Sequence, residues 1–303
     1  MKKLLVLGMV LVFLTSVVAV AQYNKQTTSN LAKIIVINRE DIKIGKTDQH
    51  EGLVRALRTA VNNSDAKFNW IAATSLSGNT GEQNYFVGYD SYAAMEHGQQ
   101  ALAQAYKATL TSAERRTDNT ETHLNWKGTI ARLREDLSYN PERIDIAQAR
   151  AWKMTTVRLK PGTTTDFTEY EQSVLDLHRR NNIDEAWAVY EVEFGANTPT
   201  FLLFTPYKSL SDLDNTELKA VHERVFTSAV KRQLSAAMHD AILTQENTLL
   251  SVAPEISNPE PATVAANPTF WTVKEPDQTQ VATSREKGRK NPVEPAIQKK
   301  DKK

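Results

Sequence analysis

The chain has no cysteine among its 303 residues. This absence excludes a disulfide framework, a thiolate nucleophile, a lipid-modified cysteine and any metal site built from thiolates. The sequence also lacks the GxSxG serine motif, the phosphate-binding P-loop, the dinucleotide-binding glycine pattern and the HExxH zinc motif. Stability must therefore come from apolar burial, which a chain of this length can supply as one large or two smaller domains.

Long apolar runs are missing except at the amino terminus. Two lysines precede an 18-residue stretch of apolar and small residues that ends in Ala-Val-Ala, the small-x-small pattern of a signal-peptidase site. We predict a signal peptide at residues 1–21, cleavage before Gln22, and export to the periplasm or beyond. The alternative is a retained anchor, because 18 residues lie near the lower limit of a membrane-spanning helix. After cleavage we expect no contact with a membrane.

Residues 276–303 have few large apolar side chains and a net formal charge of +4, from eight basic and four acidic residues. Such a composition cannot offset its ordering entropy by burial, so we predict a disordered basic tail. A basic tail can bind anionic partners, but a solvated end is the preferred interpretation. Since an exported protein rarely meets nucleic acid, we predict no nucleic-acid partner.

The body of the chain contains one pattern twice. Each half begins with a β-branched strand and an amphipathic helical stripe, followed by a hairpin of two aromatic-rich strands and a further helical stretch. Trp70 precedes Trp187 by 117 residues, and Tyr85 precedes Phe201 by 116. Two landmarks with nearly one offset predict a tandem repeat. We divide it into a first repeat at 22–150 and a second at 151–275, with Trp271 opening a final strand.

The order strand, helix, strand, strand, helix, strand is that of a ferredoxin-like α+β unit. Such a sheet has helices on one face and leaves the other face bare. The aromatic and branched residues of the hairpins are too apolar for a bare face in water. We therefore predict two tandem ferredoxin-like repeats whose antiparallel sheets pack face to face as an α+β barrel within one chain.

The duplicated hairpins, the Pro161-Gly162 turn before Phe167 and Tyr170, and the arm at 136–142 resemble the dimeric α+β barrel superfamily, in particular its NIPSNAP-like and uncharacterised exported bacterial members. The resemblance extends over about residues 32 to 275. It implies the fold but not an activity, because the superfamily includes monooxygenases, isomerases, haem enzymes and proteins without known activity.

The barrel prediction provides one candidate binding site. An interior of this size can hold a small apolar ligand, although a core filled by side chains is the alternative. The aromatic residues expected to line or flank the space between the sheets are Trp70, Tyr85, Tyr89, Trp187, Tyr190 and Phe201.

None of the six histidines shows a metal-binding spacing, so the sequence predicts no metal site. His222 and His239 fall on a predicted long helix between Asn215 and Leu250. Seventeen residues separate them, which places them about 100° apart around a helix and excludes a shared metal ion. The resemblance to haem-binding barrels permits either histidine as an axial haem ligand.

The preferred interpretation is an exported protein of unassigned activity that binds a small hydrophobic molecule or a partner in or near the barrel, without a cofactor. The alternative is an oxidoreductase of the α+β barrel type, working either as a cofactor-free monooxygenase or with haem. Catalytic residues are not identified by the sequence, and whether the chain is an enzyme is left open.

Overall fold

The computed structural model describes residues 31–64, 68–109 and 121–273. The predicted signal peptide and basic tail lie outside the described residues. Within these ranges eight strands form the frame of the molecule, and their bounds are β1 (Ile34–Ile42), β2 (Ile71–Ser75), β3 (Glu82–Tyr89), β4 (His123–Leu133), β5 (Ala151–Leu159), β6 (Ala188–Phe194), β7 (Thr200–Tyr207) and β8 (Ile242–Val252).

The helices described lie between and after these strands. Their bounds are α1 (Thr47–Asn62), α2 (Tyr92–Thr109), α3 (Thr164–Arg180), α4 (Thr216–Val225), α5 (Ser228–Met238), α6 (Pro261–Ala266) and α7 (Pro268–Trp271). In the described part of the chain, no helix combines the length and apolar character needed to cross a bilayer.

All eight strands join one closed antiparallel barrel in the order β1-β3-β2-β8-β5-β7-β6-β4. Strands β1 to β4 make one half of the wall in the ferredoxin-like order β4-β1-β3-β2, and β5 to β8 make the other half in the same order. The halves meet at two edges, where β2 pairs with β8 and β4 pairs with β6. The predicted α+β fold with an intrachain barrel is confirmed.

The barrel interior is packed with apolar side chains from both halves. Phe86 lies edge-on to Trp152 at a centroid distance of 5.0 Å, and Phe204 contacts Phe86 at 5.8 Å and Tyr190 at 5.9 Å. Aromatic pairs prefer this edge-to-face arrangement. The interior contains buried side chains from all eight strands, so the two halves share one core.

The outer faces of the two half-sheets carry separate apolar layers beneath the helices. Helices α1 and α2 cover the first half through Leu57, Val61 and Ala105. Helices α3 and α5 cover the second half, where Phe167 and Met238 belong to the same buried cluster as the strands. The molecule therefore has an inner core and two outer cores.

Five of the six predicted interior aromatics occupy these outer layers instead. Trp70, Tyr85 and Tyr89 belong to the first outer core, and Trp187 and Phe201 to the second. Tyr190 alone of the six belongs to the interior cluster. The prediction that the set lies between the sheets was wrong because both faces of each sheet are apolar. Alternation along a strand shows which residues share a face but not which face is inside.

The predicted long helix from Asn215 to Leu250 was also wrong. This stretch contains the shorter helices α4 and α5 and then β8, which pairs with both β2 and β5. His222 lies on α4, whereas His239 caps the carboxyl end of α5 and is exposed. The middle of β8 is polar and exposed, and its buried residues, Leu250 and Val252, lie at one end, so no period of two marks it as a strand.

Trp271 is helical rather than the start of a strand. Pro268 occupies the first turn of α7, a position that suits its fixed φ angle and its missing N–H group. The Trp271 indole joins the interior cluster, and its Nε1 donates a hydrogen bond to the Ala147 carbonyl oxygen at 3.0 Å.

Candidate functional site

A cavity of about 530 Å³ lies between the outer face of the first half-sheet and helices α1 and α2. We call it the α1–α2 cavity. Most of its wall is apolar, and its polar groups include a glutamate, two histidines and a tyrosine. The apolar lining consists of Leu53, Val54, Leu57, Phe68, Trp70, Val87, Leu102, Ala103 and the rings of Tyr106 and Trp126, and the polar side chains of the lining are those of Asn38, Glu40, His50, Tyr85, Lys107 and His123.

Local structure explains how these polar side chains converge. Glu40 shares the outer face of β1 with Val36, because side chains four residues apart on a strand point the same way. His50 lies in the first turn of α1, on the same stripe as Leu57, and is buried. His123 begins β4, beside a register shift at the end of β1.

Both imidazoles point at one carboxylate oxygen. Glu40 Oε2 lies 3.1 Å from His50 Nε2 and 3.2 Å from His123 Nε2, and the two rings meet edge to face with centroids 4.8 Å apart. We call Glu40, His50 and His123 the Glu40 cluster. The histidine side chains are only 4% and 6% exposed, whereas the Glu40 side chain is 24% exposed. The carboxylate is therefore the member most accessible from the cavity.

The hydrogen bonds around His50 assign its proton. Tyr85 donates its single hydroxyl hydrogen to Gln83 Oε1 at 2.7 Å, and Gln83 Nε2 donates to Glu51 at 3.1 Å. The Tyr85 oxygen, 3.0 Å from His50 Nε2, therefore accepts a hydrogen bond from that nitrogen. His50 Nε2 thus carries a proton that lies between the Glu40 carboxylate and the Tyr85 oxygen.

Electrostatics keep Glu40 ionised. Burial alone would raise the pKa of its carboxyl group, but the hydrogen bonds with His123 and His50, together with the charge on those rings, outweigh burial and lower the pKa below its ordinary value. The site therefore presents a carboxylate, which only accepts hydrogen bonds, within a mostly apolar cavity.

The equivalent place in the second half is apolar. After their register shifts, Ile42 of β1 pairs with His123 and Leu159 of β5 pairs with Ile242, so Ile242 stands where the first half has His123. Counting back two residues from Ile42 and from Leu159 places Val157 of β5 at the position equivalent to Glu40 of β1. Val157 is buried, and Ile242 packs against the same cluster, so the polar group is specific to the first half.

The pair of His50 and Tyr85 has an apolar counterpart as well. Phe167 and Phe201, the second-half residues at the corresponding positions, contact each other with ring centroids 4.5 Å apart and ring planes tilted by 34°. Both are fully buried. A hydrogen-bonded pair in one half is thus replaced by a tight aromatic contact in the other.

The structure places the six predicted ligand-binding residues in different parts of the molecule. Trp70 and Tyr85 line the α1–α2 cavity, and Tyr89 lines a neighbouring groove beside α2. Trp187 and Phe201 pack in the second outer core, and Tyr190 donates its hydroxyl hydrogen to the Ala32 carbonyl oxygen at 3.0 Å inside the barrel. The role of all six in ligand binding stays a prediction.

Sequence reasoning missed the Glu40 cluster. Its members lie on three separate elements, and 73 residues separate His50 from His123, so no spacing motif connects them. One signal was available: His50 falls on the apolar stripe that continues through Leu53, Leu57 and Val61. A histidine on the buried face of a helix requires a polar partner.

The two histidines considered as haem ligands do not fit that role. His239 is exposed, and His222 directs Nε2 at the Glu185 carboxylate at 2.8 Å. Neither residue lines the α1–α2 cavity or the groove beside α2. An axial ligand must face a cavity large enough for the macrocycle, so we derive no chemistry from haem at these positions.

No protein-family model matches the sequence, and no curated protein sequence is significantly similar to it. Solved structures show similarity of fold. An anthrone oxidase-like protein is 10% identical, with 73% of this chain and 91% of that chain covered and a TM-score of 0.48. A candidate monooxygenase from Fusobacterium nucleatum is 16% identical, with 74% of this chain and 93% of that chain covered and a TM-score of 0.42.

A chlorite dismutase from Candidatus Nitrospira defluvii, solved with imidazole, is 9% identical, with 74% of this chain and 92% of that chain covered and a TM-score of 0.43. At these identities and TM-scores the likeness carries no activity over to this chain. Its class, an α+β fold closed as an eight-stranded antiparallel barrel, follows from its own strand order.

Proposed function

We propose that the chain binds a small, mainly apolar molecule in the α1–α2 cavity, and that Glu40 accepts a hydrogen bond from a hydroxyl or N–H group of that molecule. The observation that carries this proposal is an ionised carboxylate at the wall of an otherwise mainly apolar cavity of about 530 Å³. Small-molecule sites commonly have this volume and combine apolar walls with a few polar groups that fix orientation.

The hydrogen-bond network supports a binding role for Glu40. His50 and His123 hold one carboxylate oxygen, so the side chain keeps its position before a ligand arrives. A group that is already fixed loses little conformational entropy on binding. The aromatic surface of Trp70 and Tyr106 supplies apolar contact, worth about 25 cal/mol for each Å² that is removed from water.

A second candidate function is favoured by the pairing of His123 with Glu40. A carboxylate can act as a general base, and both ring nitrogens of His123 are already engaged, Nε2 with Glu40 and Nδ1 with Thr122 Oγ1 at 3.0 Å. Glu40 would remove the proton of a bound phenolic hydroxyl, and dioxygen would then oxidise the resulting anion, with one oxygen atom added to the ring and the other released as water. This would be a cofactor-free oxidoreductase, which needs no prosthetic group in the cavity.

The binding proposal can be tested with 2-naphthol and 2-methoxynaphthalene, two probes of similar shape of which only the first donates a hydrogen bond. We expect 2-naphthol to bind at least about tenfold more tightly, because a hydrogen bond to a charged group is worth about 1.5 to 3 kcal/mol. Glu40→Gln should remove most of this difference, whereas Glu185→Gln, which alters a histidine-paired glutamate in the other half, should preserve it. Calorimetric titration measures the affinities.

Equal affinity of the wild type for both probes would contradict the role of Glu40, and so would an equal effect of the two variants. Oxygen uptake by the protein with bound 2-naphthol separates the two candidate functions. Consumption that is lost in Glu40→Gln supports the oxidoreductase, and binding without consumption supports the binding protein.

We also propose export, a tandem duplication and a relation to NIPSNAP-like proteins. The apolar residues that end at Ala21 support export, and the shared order of strands and helices in the two halves supports duplication. On expression in a bacterium with a secretory pathway, the mature protein should begin at Gln22. Amino-terminal sequencing checks this, and an intact Met1 on protein from the soluble periplasmic fraction would contradict it.

A further inference from the structure

A second group of two histidines and one glutamate lies in the other half of the molecule, at the carboxyl end of α3. His178 lies in the last turn of α3, Glu185 in the loop before β6, and His222 in α4. We call these residues the Glu185 cluster. It is built on different elements from those that line the α1–α2 cavity, so its role is independent of ligand binding in that cavity.

The three side chains converge on a single point. Glu185 Oε2 lies 3.1 Å from His178 Nε2 and 2.8 Å from His222 Nε2, and one potential ligand atom from each residue lies within 4.8 Å of the others. The His178 side chain is 4% exposed, whereas that of His222 is 37% exposed. One side of the cluster is therefore open to solvent.

The protonation of His178 distinguishes this cluster from the first. Its Nδ1 lies 2.8 Å from the Val174 carbonyl oxygen, and because a carbonyl oxygen only accepts, Nδ1 carries the hydrogen. In a neutral ring Nε2 then has a lone pair, which faces the Glu185 carboxylate oxygen at 3.1 Å. Two acceptors at that distance repel each other unless a positive charge lies between them or the ring gains a second proton.

The Glu40 cluster poses no such problem, because its His50 carries a proton on Nε2. In the Glu185 cluster the fixed Nδ1 hydrogen leaves the coordinating nitrogen of His178 available. A hydrogen bond from Nδ1 to a backbone carbonyl is the usual arrangement for a histidine that binds a metal through Nε2, since it fixes both the tautomer and the ring orientation.

We propose that His178, Glu185 and His222 bind one divalent transition-metal ion, with zinc as the first choice. Zinc binds imidazole nitrogen and carboxylate oxygen at about 2.0 to 2.2 Å, so neighbouring ligand atoms around it lie about 3 to 3.5 Å apart. The observed separations of 2.8 Å and 3.1 Å lie close to this range. Three protein ligands on a partly exposed site leave a further position for water.

A metal ion here would fasten α4 to the body of the protein. Val225 is the one buried residue that α4 contributes, and Phe226, just after the helix, contacts the rings of both His178 and His222 at 5.4 Å. Coordination of His222 would add a strong link from α4 to the end of α3 and to the loop before β6. Binding of the ion would therefore hold α4 more firmly against the second half of the molecule, and none of the three ligands lines the α1–α2 cavity.

Zinc titration of untagged, chelator-treated full-length protein tests the proposal, with calorimetry for affinity and stoichiometry. Because the Glu40 cluster has the same residue types, the decisive quantity is the change in stoichiometry among variants. We expect His222→Ala and Glu185→Gln each to remove one zinc equivalent or to weaken it at least about 100-fold, since loss of a direct ligand should exceed the 10- to 100-fold cost of losing an outer partner. His123→Ala and the exposed His97→Ala should keep that equivalent.

Cobalt gives an independent signal, because a visible absorption band from coordinated Co²⁺ should appear in the wild type and be lost in His222→Ala. Zinc should also slow proteolytic cleavage within α4 in the wild type but not in that variant. His222 is partly exposed, so His222→Ala should fold, and circular dichroism checks this. No zinc binding at millimolar concentration, or an unchanged stoichiometry in His222→Ala, would overturn the proposal and leave a doubly protonated His178 paired with Glu185.

Discussion

Replacing Phe201 with alanine is expected to lower the free energy of unfolding by about 3 to 5 kcal/mol, the usual cost of removing a fully buried phenylalanine. Phe201 has no exposed surface, its ring centroid lies 4.5 Å from that of Phe167, and it lies beneath the Arg134 guanidinium at 5.9 Å. The variant leaves a cavity that these neighbours cannot close without moving. Urea denaturation followed by circular dichroism measures the loss.

Phe194→Ala is the matched control, because Phe194 ends the preceding strand of the same hairpin and is 58% exposed. It should change the free energy of unfolding by less than about 1 kcal/mol. Similar losses in the two variants would show that burial beneath α3 does not determine the contribution of Phe201. The result bears on function too, since a large loss would identify Phe201 as a core residue rather than one of the predicted ligand contacts.

Glu171 is expected to make the protein less stable as the pH rises from 5 to 8. The residue is buried in α3, and burial raises the pKa of its carboxyl group from 4.5 to about 7. Between these two values the folded state keeps a proton that the unfolded state releases, so the free energy of unfolding falls with increasing pH. The shift corresponds to a loss of about 2 to 3 kcal/mol over this range, at about 1.4 kcal/mol for each pKa unit.

Glu171→Gln removes the ionisation. The loss of unfolding free energy between pH 5 and pH 8 should therefore be about 2 to 3 kcal/mol smaller in this variant than in the wild type. Urea denaturation at pH 5 and pH 8 measures both slopes. The comparison of slopes is robust to any constant cost of the buried amide. Glu169→Gln, an exposed position on the same helix, should keep the wild-type slope. Parallel slopes for wild type and Glu171→Gln would refute the prediction.

The sequence predicted the elements that repeat a short local pattern. The first strand, the first helix and the hairpin of each half, including the stripe at Leu53, Leu57 and Val61, follow from alternation, helical spacing and turn residues. The need to cover bare apolar sheet faces then led to the barrel. Strands β4 and β8 were missed because much of each strand is polar and exposed, and their pairing is made at long range with β1 and β5.

The positions of individual side chains around the barrel were less predictable. In a sheet covered on both faces, Tyr85 and Phe86 are both buried, although Tyr85 faces α1 and Phe86 faces the interior. Composition does not distinguish these two environments. Likewise the Glu40 and Glu185 clusters bring together residues from different elements, so no single-sequence spacing could reveal them.

Carrying both half-sheets on one chain removes a constraint that identical subunits would impose. Where two copies of one subunit form such a barrel, every residue occurs at both related positions, so a change that creates a polar site on one side creates it on the other. Here His50 and Tyr85 face a cavity while Phe167 and Phe201 close the related space. Covalent connection thus permits asymmetry, with a cavity that contains polar side chains on one side of the barrel and a closed aromatic contact on the other.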